Sequence, residues 1–396
     1  MTQMAAKKSD DGIGRVGTLA EPTGMQVWSP NDGHLLDVQN LAVEFRTRDG
    51  VAKAINRASF HLDQGESLAI LGESGSGKSV TAQAIMGILD SPPGFVTGGQ
   101  VFFRGVDLLK LPEDQRRMVR GQRIAMIFQD ALSALNPVFT VGWQIAEMFR
   151  VHKGLNKSDA RAEAIRLMER VNIPAAAQRA GNFPHQFSGG MRQRIMIAMA
   201  LALDPEILIA DEPTTALDVT VQAQIMELLG ELQAETGMGL ILITHDLGVV
   251  ADVADRINVM YAGRIVEAAE VHDLYAHPAH PYTEGLLESI PRLDQVAGEL
   301  KAIGGLPPNL ARIPAGCAFN PRCRYAQDIC RVDPVPPLVE LGGGRSSACH
   351  FTHELLAGKL VPAGKLVPAA TQVPTATRAN RAASEVAAVI EEGIDE

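Results

Sequence analysis

The chain has 396 residues, of which 46% are hydrophobic and 21% are charged, a balance typical of globular proteins. Acidic residues outnumber basic ones by 46 to 36, and the net charge of −10 argues against broad nucleic-acid binding, which needs a basic face. The longest apolar run, Ile195 to Leu203, is shorter than the ~20 residues that cross a bilayer, and no apolar stretch follows the N-terminal lysines. We therefore predict a cytosolic protein without membrane spans or a secretory signal.

Residues 35–270 alternate between strand and helix patterns. Residues 1–34 mix Gly, Pro, Asp, Lys and Ser without apolar periodicity, which predicts a flexible tail. Strands are predicted from Leu35 onward and then at SLAIL, IAMIF, ILIAD and LILIT, which are residues 67–71, 124–128, 207–211 and 240–244. Helical patterns separate them, for example Ala160 to Val171 and Val221 to Gln233. Buried strands that alternate with helices favour an α/β domain with a largely parallel sheet.

The composition changes near residue 270, where prolines, histidines and all four cysteines gather. We predict a small Cys-containing C-terminal domain at residues 271–356. Residues 357–396 begin with a tandem AGKLVP and continue with a Pro/Thr/Ala-rich stretch. They predict a second flexible tail, with a short acidic helix from Ser384 to Glu392.

The segment GESGSGKS, Gly72 to Ser79, fits the phosphate-loop pattern G-x-x-x-x-G-K-[ST]. It follows the predicted strand SLAIL and opens into the helical TAQAIMGIL. Glycines let backbone N–H groups wrap phosphates, Lys78 would reach the β- and γ-phosphates, and Ser79 would ligate Mg²⁺. The alternative is a glycine-rich turn with an incidental lysine.

Two further segments carry residues suited to phosphate chemistry. ILIADEP ends a strand in Asp211, which can hold the Mg²⁺ shell, and Glu212, which can polarise an attacking water. FSGGMRQR begins a helix with Ser188 as N-cap, and Gly189 and Gly190 leave backbone N–H groups open to an anion. Taken alone, the acids could be a solvated strand end, and the glycines a tight turn.

The phosphate loop, the SGG segment and the ADEP strand, in that order, resemble an ABC (ATP-binding cassette) ATPase. The resemblance implies a RecA-like P-loop NTPase with an antiparallel β edge and a helical subdomain near residues 132–190. It also implies four further site residues. These are Gln129 as the Mg²⁺-sensing coupling residue, Asp218 at the dimer interface, His245 as the γ-phosphate switch and Phe45 as the adenine-stacking aromatic.

The resemblance thus assigns catalysis to Glu212, His245, Gln129 and Lys78, and Mg²⁺ binding to Ser79, Gln129 and Asp211. It assigns ATP binding to Phe45, Gly72, Glu73, Ser74, Gly75, Ser76, Gly77, Lys78, Ser79, Val80, Ser188, Gly189, Gly190 and Asp218. In the family, each ATP lies between the phosphate loop of one cassette and the SGG helix of another. Ser188 and Gly190 are therefore expected to serve the nucleotide of a partner cassette. Met191 stands where many family members have Gln, and we expect no loss of activity from it.

HPAHPYTEGLLESIPRLD, His277 to Asp294, resembles the C-terminal extension of ATPases of oligopeptide, dipeptide and nickel importers, with the dipeptide-importer D subunit the nearest in pattern. This implies a peripheral protein on the cytoplasmic face of the inner membrane, with two permease subunits, a second ATPase or self, and an extracytoplasmic binding protein as partners. The implied function is ATP-driven import of dipeptides or oligopeptides through those permeases. Import of nickel or another small solute is the alternative, and a non-transport ABC ATPase is a remote one. For His277 and His280 we favour a proline-bounded structural turn over metal binding.

The cysteines are spaced Cys317-x₅-Cys323-x₆-Cys330-x₁₈-Cys349, unlike the paired C-x₂-C of zinc ribbons. In a reducing cytosol such a set favours ligands over disulfides. Four thiolates can hold a 4Fe-4S cluster, and relatives of the resembled subunit share a similar set associated with one. Zinc and free buried thiols are the alternatives. Arg322, Arg324 and Arg331 could offset the charge of a tetrathiolate site.

Overall fold

The computed structural model describes residues 33–362 except 49, 131–133, 216 and 291–302. Most of both predicted tails, including the acidic helix at Ser384–Glu392, lies outside the described residues. In chain order, the described strands are β1 Leu36–Thr47, β2 Gly50–Leu62, β3 Ser67–Leu71, β4 Gly94–Phe103, β5 Val106–Asp107, β6 Ile124–Ile127, β7 Ile207–Asp211, β8 Gly239–Thr244, β9 Arg256–Tyr261, β10 Arg264–Glu270, β11 Val339–Gly342 and β12 Arg345–Ser347.

The described helices follow the same order. They are α1 Lys78–Met86, α2 Glu113–Val119, α3 Val141–His152, α4 Lys157–Arg170, α5 Ala176–Arg179, α6 Gly189–Leu201, α7 Val219–Thr236, α8 Leu247–Val250, α9 Val271–Ala276, α10 Pro281–Glu288 and α11 Thr352–Leu356, with 3₁₀ turns at Pro184–Gln186 and Asp328–Arg331. Among these helices, none is both long and apolar enough to cross a membrane.

The main sheet has the order β11-β12-β10-β9-β3-β8-β7-β6. Strands β9, β3, β8, β7 and β6 run parallel, whereas β10, β12 and β11 continue the sheet in antiparallel fashion. Every residue of β3, β6, β7 and β8 is buried, because both faces of this parallel region are covered. The predicted α/β fold with a parallel sheet is thus confirmed.

Two hydrophobic cores lie on the two faces of this sheet. Along β3, Ala69 and Leu71 point into the core shared with α3, α4, α6 and α7, whereas Leu68 and Ile70 point into the other. This alternation follows from the two-residue period of a strand. The second core is closed by a separate antiparallel sheet of order β2-β1-β4-β5, which corresponds to the predicted antiparallel edge.

The Cys-bearing region does not build a sheet of its own from its described residues. Its strand β12 pairs with β10, Glu267 opposite Ser347, and so lengthens the main sheet. Because β6, β7, β8 and β3 are parallel, their C-terminal ends all lie at the same edge of the main sheet. Loops that follow parallel strands meet at that edge, which is where ligands bind in such sheets.

Candidate functional site

The phosphate loop connects β3 to α1 and depends on two glycines. Gly72 has φ of 154°, and a Cβ there would lie 2.3 Å from the carbonyl oxygen of Met260. A Cβ on Gly77, with φ of 108°, would lie 2.5 Å from the carbonyl oxygen of Ala54. Only glycine permits this close backbone approach. The Ser76 hydroxyl is buried and finds no hydrogen-bond partner among the described residues, as expected of a loop that awaits a ligand.

Lys78 begins α1 and is only 4% exposed. Its Nζ donates to the carbonyl oxygens of Gly72 at 2.7 Å and Glu73 at 3.1 Å. Burial lowers the pKa of Lys78, while the nearby carboxylates of Glu212 and Asp211 act in the opposite direction. The ammonium is thus held inside the loop by carbonyl contacts that phosphate oxygens can replace.

Ser79 and Asp211 form the oxygen pair expected for Mg²⁺. The Ser79 hydroxyl donates to Asp211 Oδ1 at 2.9 Å, although the two residues are 132 positions apart. Burial raises the pKa of Asp211, and the hydrogen bond from Ser79 lowers it. Hard oxygen donors this close suit Mg²⁺, whose octahedral ligands lie roughly 3 Å apart. A divalent cation would also relieve the cost of burying this carboxyl group in charged form.

Glu212 directly follows β7, with φ of 45° and its N–H donating to the carbonyl oxygen of Ile243 at 2.8 Å. Its carboxylate accepts hydrogen bonds from Gln129 Nε2 and from the Thr215 hydroxyl, each at 2.9 Å. The exposed His245 ring places Nδ1 3.4 Å from the other carboxylate oxygen. Gln129, Glu212 and His245 follow β6, β7 and β8, so the sheet brings the three predicted residues together.

Most of these residues border one open cavity of about 600 Å³. The predicted residues that line it are Gly72, Glu73, Ser74, Gly75, Gly77, Lys78, Ser79, Val80, Gln129, Glu212 and His245. Sequence analysis missed Leu286, Ser289 and Ile303, which line the cavity from the C-terminal region. Nothing in their local sequence marks them, because they reach the site only through tertiary packing.

Seven residues predicted for ATP or Mg²⁺ binding do not line this cavity: Ser76, Asp211, Ser188, Gly189, Gly190, Asp218 and Phe45. The Ser188 hydroxyl accepts from Met191 N at 3.3 Å and caps α6, as predicted, and both Ser188 and Gly189 are exposed. A Cβ on Gly190 would lie 2.6 Å from Cγ1 of Val221, so close packing against α7 requires glycine there. The Asp218 carboxylate caps α7, accepting from Val221 N at 3.0 Å.

Phe45 lies on β1, half-buried against the core beneath the antiparallel sheet. Its adenine-stacking role stays a prediction.

Comparison with known proteins identifies the chain. It matches a family described as "ABC transporter" over residues 55–215 and one described as "Oligopeptide/dipeptide transporter, C-terminal region" over residues 266–330. The oligopeptide transport ATP-binding protein OppD of Salmonella typhimurium is 51% identical over 315 residues, 80% of this chain and 93% of that protein. The chain belongs to the ABC transporter family.

Other relatives agree with this ABC assignment. OppD of Bacillus subtilis is 54% identical over 296 residues, 74% of this chain and 83% of that protein. An ATP-binding cassette solved as a dimer in a post-hydrolysis state with ADP and phosphate has a TM-score of 0.54 and 27% identity. The match covers 60% of this chain and 98% of that cassette. The predicted ABC fold and the resemblance to oligopeptide and dipeptide importer ATPases are confirmed, and the chain is an ATPase cassette.

The prediction of a 4Fe-4S cluster is wrong. The matching families and relatives are ABC ATP-binding proteins without any indication of such a cluster. Cys317, Cys323, Cys330 and Cys349 border one cavity of only about 10 Å³, the space of roughly one water molecule.

Zinc fits no better than the cluster. Thiolates bound to one zinc ion lie roughly 4 Å apart. Over the described ranges, the sole set of three His, Cys, Asp or Glu ligand atoms within 4.8 Å of one another is His34, His61 and Asp63. Burial raises the pKa of Cys323 to about 11 and that of Cys349 to about 12. None of the four cysteines forms a disulfide; Cys330 is buried, whereas Cys317, Cys323 and Cys349 are partly exposed. The alternative of free thiols stays a prediction.

The three neighbouring arginines, which we expected to offset the charge of a tetrathiolate site, each pair with a carboxylate instead. Arg322 pairs with Glu73, Arg324 with Glu284 and Glu288, and Arg331 with Asp328.

His280 has the structural role that we favoured. It is fully buried, its Nδ1 accepts from Tyr282 N at 3.1 Å, and it thereby caps α10. Burial lowers its pKa to about 3, so the ring is neutral. The carbonyl of His277 accepts a hydrogen bond from Arg345, which fixes the same turn.

Proposed function

We propose that this chain is the ATP-hydrolysing subunit of an importer that takes up peptides through partner permease subunits. One observation carries the hydrolytic assignment: Glu212 is fixed by Gln129 and Thr215 at the cavity that the phosphate loop borders. The cargo is inferred from the C-terminal family match and from relatives that are named for oligopeptide transport.

The residues around the cavity divide the work of hydrolysis. Lys78 exchanges its two carbonyl contacts for β- and γ-phosphate oxygens, and the loop amides bind the remaining oxygens. Ser79 and Asp211 would hold Mg²⁺, which supplies charge neutralisation on the same phosphates. Catalysis here is mainly positioning and electrostatics.

Glu212 orients the attacking water and accepts its proton. Gln129 fixes one carboxylate oxygen of Glu212, while His245, beside the other, is placed to contact the γ-phosphate. Because the Glu212 backbone is anchored to β8, its carboxylate is positioned before the nucleotide arrives.

We propose that a second cassette, homologous or identical, completes each site. The exposure of Ser188, Gly189 and Asp218 away from the cavity supports this, because groups that cap a phosphate loop in trans must face outward. The SGG helix would then present its N-terminal amides to the nucleotide held by the partner's phosphate loop.

Coupling to the permeases is proposed to pass through the surface next to Gln129. Phe128, Val138, Phe139 and Trp143 are exposed by 42%, 69%, 40% and 37%, and the Phe139 and Trp143 rings stack at 4.2 Å. Exposed aromatic side chains grouped in this way mark an interaction surface. Cytoplasmic helices of two permease subunits would cover it and hold the ATPase peripherally at the inner face of the membrane.

The test is uptake of a labelled oligopeptide, with dipeptide and nickel uptake alongside, in cells that lack other importers of these solutes. Cells carry the wild type, Lys78→Ala or the control Lys110→Ala, whose side chain is 73% exposed and pairs with Asp107. The proposal is supported if cells with Lys78→Ala lose peptide uptake while cells with Lys110→Ala keep it. Peptide uptake that survives Lys78→Ala contradicts the cargo, and loss of nickel uptake alone assigns the motor to another solute.

A further inference from the structure

Glu73, the second residue of the phosphate loop, is bound by the C-terminal region. Its carboxylate forms a fork with Arg322: Nη1 donates to Oε2 at 2.5 Å and Nη2 to Oε1 at 2.8 Å, across 249 residues of sequence. Its backbone N–H donates to the Tyr282 hydroxyl at 2.9 Å, across 209 residues. Two elements of the C-terminal region therefore hold one residue of the nucleotide site.

Arg322 is fixed on every side. Its side chain is 4% exposed, its Nε donates to the carbonyl oxygen of Gly304 at 3.0 Å, and its guanidinium lies 5.9 Å from the Tyr261 ring centroid. Planar bidentate pairs of this kind add geometric specificity to charge. Such an arginine sets the orientation of the carboxylate that it binds.

Tyr282 is likewise enclosed by its neighbours. The residue is fully buried, and its ring packs at 4.6 Å from Tyr261 and 5.3 Å from Phe319. It stands at the start of α10, which the buried His280 caps. The hydroxyl that accepts from Glu73 is thus presented by a rigid helix end.

The held residue is central to the loop. The Glu73 carbonyl accepts from Lys78 Nζ at 3.1 Å and from Ser76 N at 3.2 Å, so the backbone of Glu73 fixes both residues. The Glu73 carboxylate is also a negative charge on the cavity that receives a triphosphate. Unpaired, it would repel the nucleotide, and this repulsion is strong where water is partly excluded.

We propose that Arg322 and Tyr282 are positioning residues for the phosphate loop, through which the C-terminal region keeps Glu73 neutralised and oriented for nucleotide binding. The inference rests on the proposed function only in that the loop binds ATP. Arg322 acts by pairing the Glu73 carboxylate, and Tyr282 acts by fixing the Glu73 amide. The C-terminal region is then a working part of the nucleotide site.

The test measures the Kd of MgATP on the full chain and the KM and kcat of hydrolysis on the assembled transporter. We expect Arg322→Gln to weaken MgATP binding about tenfold and to raise KM, with a much smaller change in kcat. Arg322→Lys keeps the positive charge but loses the two-pronged hydrogen bond to Glu73. Its Kd for MgATP should therefore lie between those of the wild type and Arg322→Gln. Arg324→Gln is the matched control, because Arg324 lies two residues away but pairs with Glu284 and Glu288 on α10 and not with Glu73.

A double-mutant cycle separates pairing from general damage. In a Glu73→Gln background, Arg322→Gln should weaken binding by less than about threefold, because no carboxylate remains to be left unpaired. An equal loss in both backgrounds would overturn the proposal, as would a Kd of Arg322→Gln equal to wild type.

If Arg322→Gln fails to fold, Tyr282→Phe keeps the ring and removes only the hydroxyl. A several-fold rise in Kd is then expected, and an unchanged Kd would contradict the inference. Absence of MgATP binding by the wild type would instead refute the proposed function, so the two failures are distinct.

Discussion

The Glu212 carboxylate and the Gln129 amide lie 2.9 Å apart, although each follows a different strand of the main sheet. The contact joins the proposed catalytic base to a residue beside the exposed aromatic surface that we propose as the permease interface. A shift of the Gln129 loop would therefore move a hydrogen-bond donor at the carboxylate that handles water. This gives a physical route by which occupancy of the permease could alter hydrolysis.

Glu212→Gln should bind MgATP with an affinity within about twofold of wild type and lose at least ~100-fold in turnover, because an amide cannot accept the proton of the attacking water. Phosphate release and nucleotide binding by the purified protein check this. Glu169→Gln, on the exposed face of α4, serves as the control. Wild-type turnover in Glu212→Gln would remove the residue from the role of base.

Ser188→Ala should leave MgATP binding by the isolated chain nearly unchanged and lower the ATPase rate of the assembled transporter about tenfold. The reason is that Ser188 is exposed and does not line the cavity that contains Lys78. Losing the helix cap alone costs about 1 kcal/mol of stability, so thermal unfolding is measured in parallel. Ser158→Ala, at the exposed start of α4, is the comparison. Equal weakening of binding in the isolated chain would contradict completion of the site in trans.

Glu267 should make stability depend on pH. Its carboxylate accepts from Ala279 N and His280 N, and burial raises its pKa from 4.5 to about 7. A raised folded pKa means that the folded state binds the proton more tightly. The contribution of Glu267 is therefore full below pH 4.5 and lost as pH rises through about 7.

Between pH 7 and pH 5 this contribution grows by about 2 kcal/mol. Glu267→Gln should lose that gain, so its deficit relative to wild type widens by this amount at pH 5. Urea unfolding at the two pH values measures it, with the exposed Glu340→Gln as control. A deficit that does not change with pH would show that Glu267 does not titrate in this range.

Sequence could predict whatever depends on neighbouring residues. The apolar runs at 67–71, 207–211 and 240–244 became buried parallel strands, and the residues after them met because parallel strands end together. The phosphate loop could be recognised from the sequence because Gly72, Gly77, Lys78 and Ser79 lie within one short segment.

Contacts between distant segments could not be predicted where no motif marked both partners. Arg322 was interpreted through its neighbour Cys323, but its partner is Glu73, 249 residues away. The cysteine spacing suggested a ligand set, whereas packing left only a small apolar space between the four cysteines. The pairing of β12 with β10 was also hidden, because RSS has little strand character of its own.

The β10–β12 pairing also orders events during synthesis. As the chain leaves the ribosome, the phosphate loop and the catalytic strands emerge first, but β10 keeps an open edge until Ser347 has appeared. The Glu73 carboxylate likewise has no Arg322 to pair with until that residue has been synthesised. A nascent chain that holds every nucleotide motif therefore lacks the strand and the arginine that complete their setting. If Arg322 positions the phosphate loop as proposed, tight nucleotide binding should arise only after both Arg322 and Ser347 have been made.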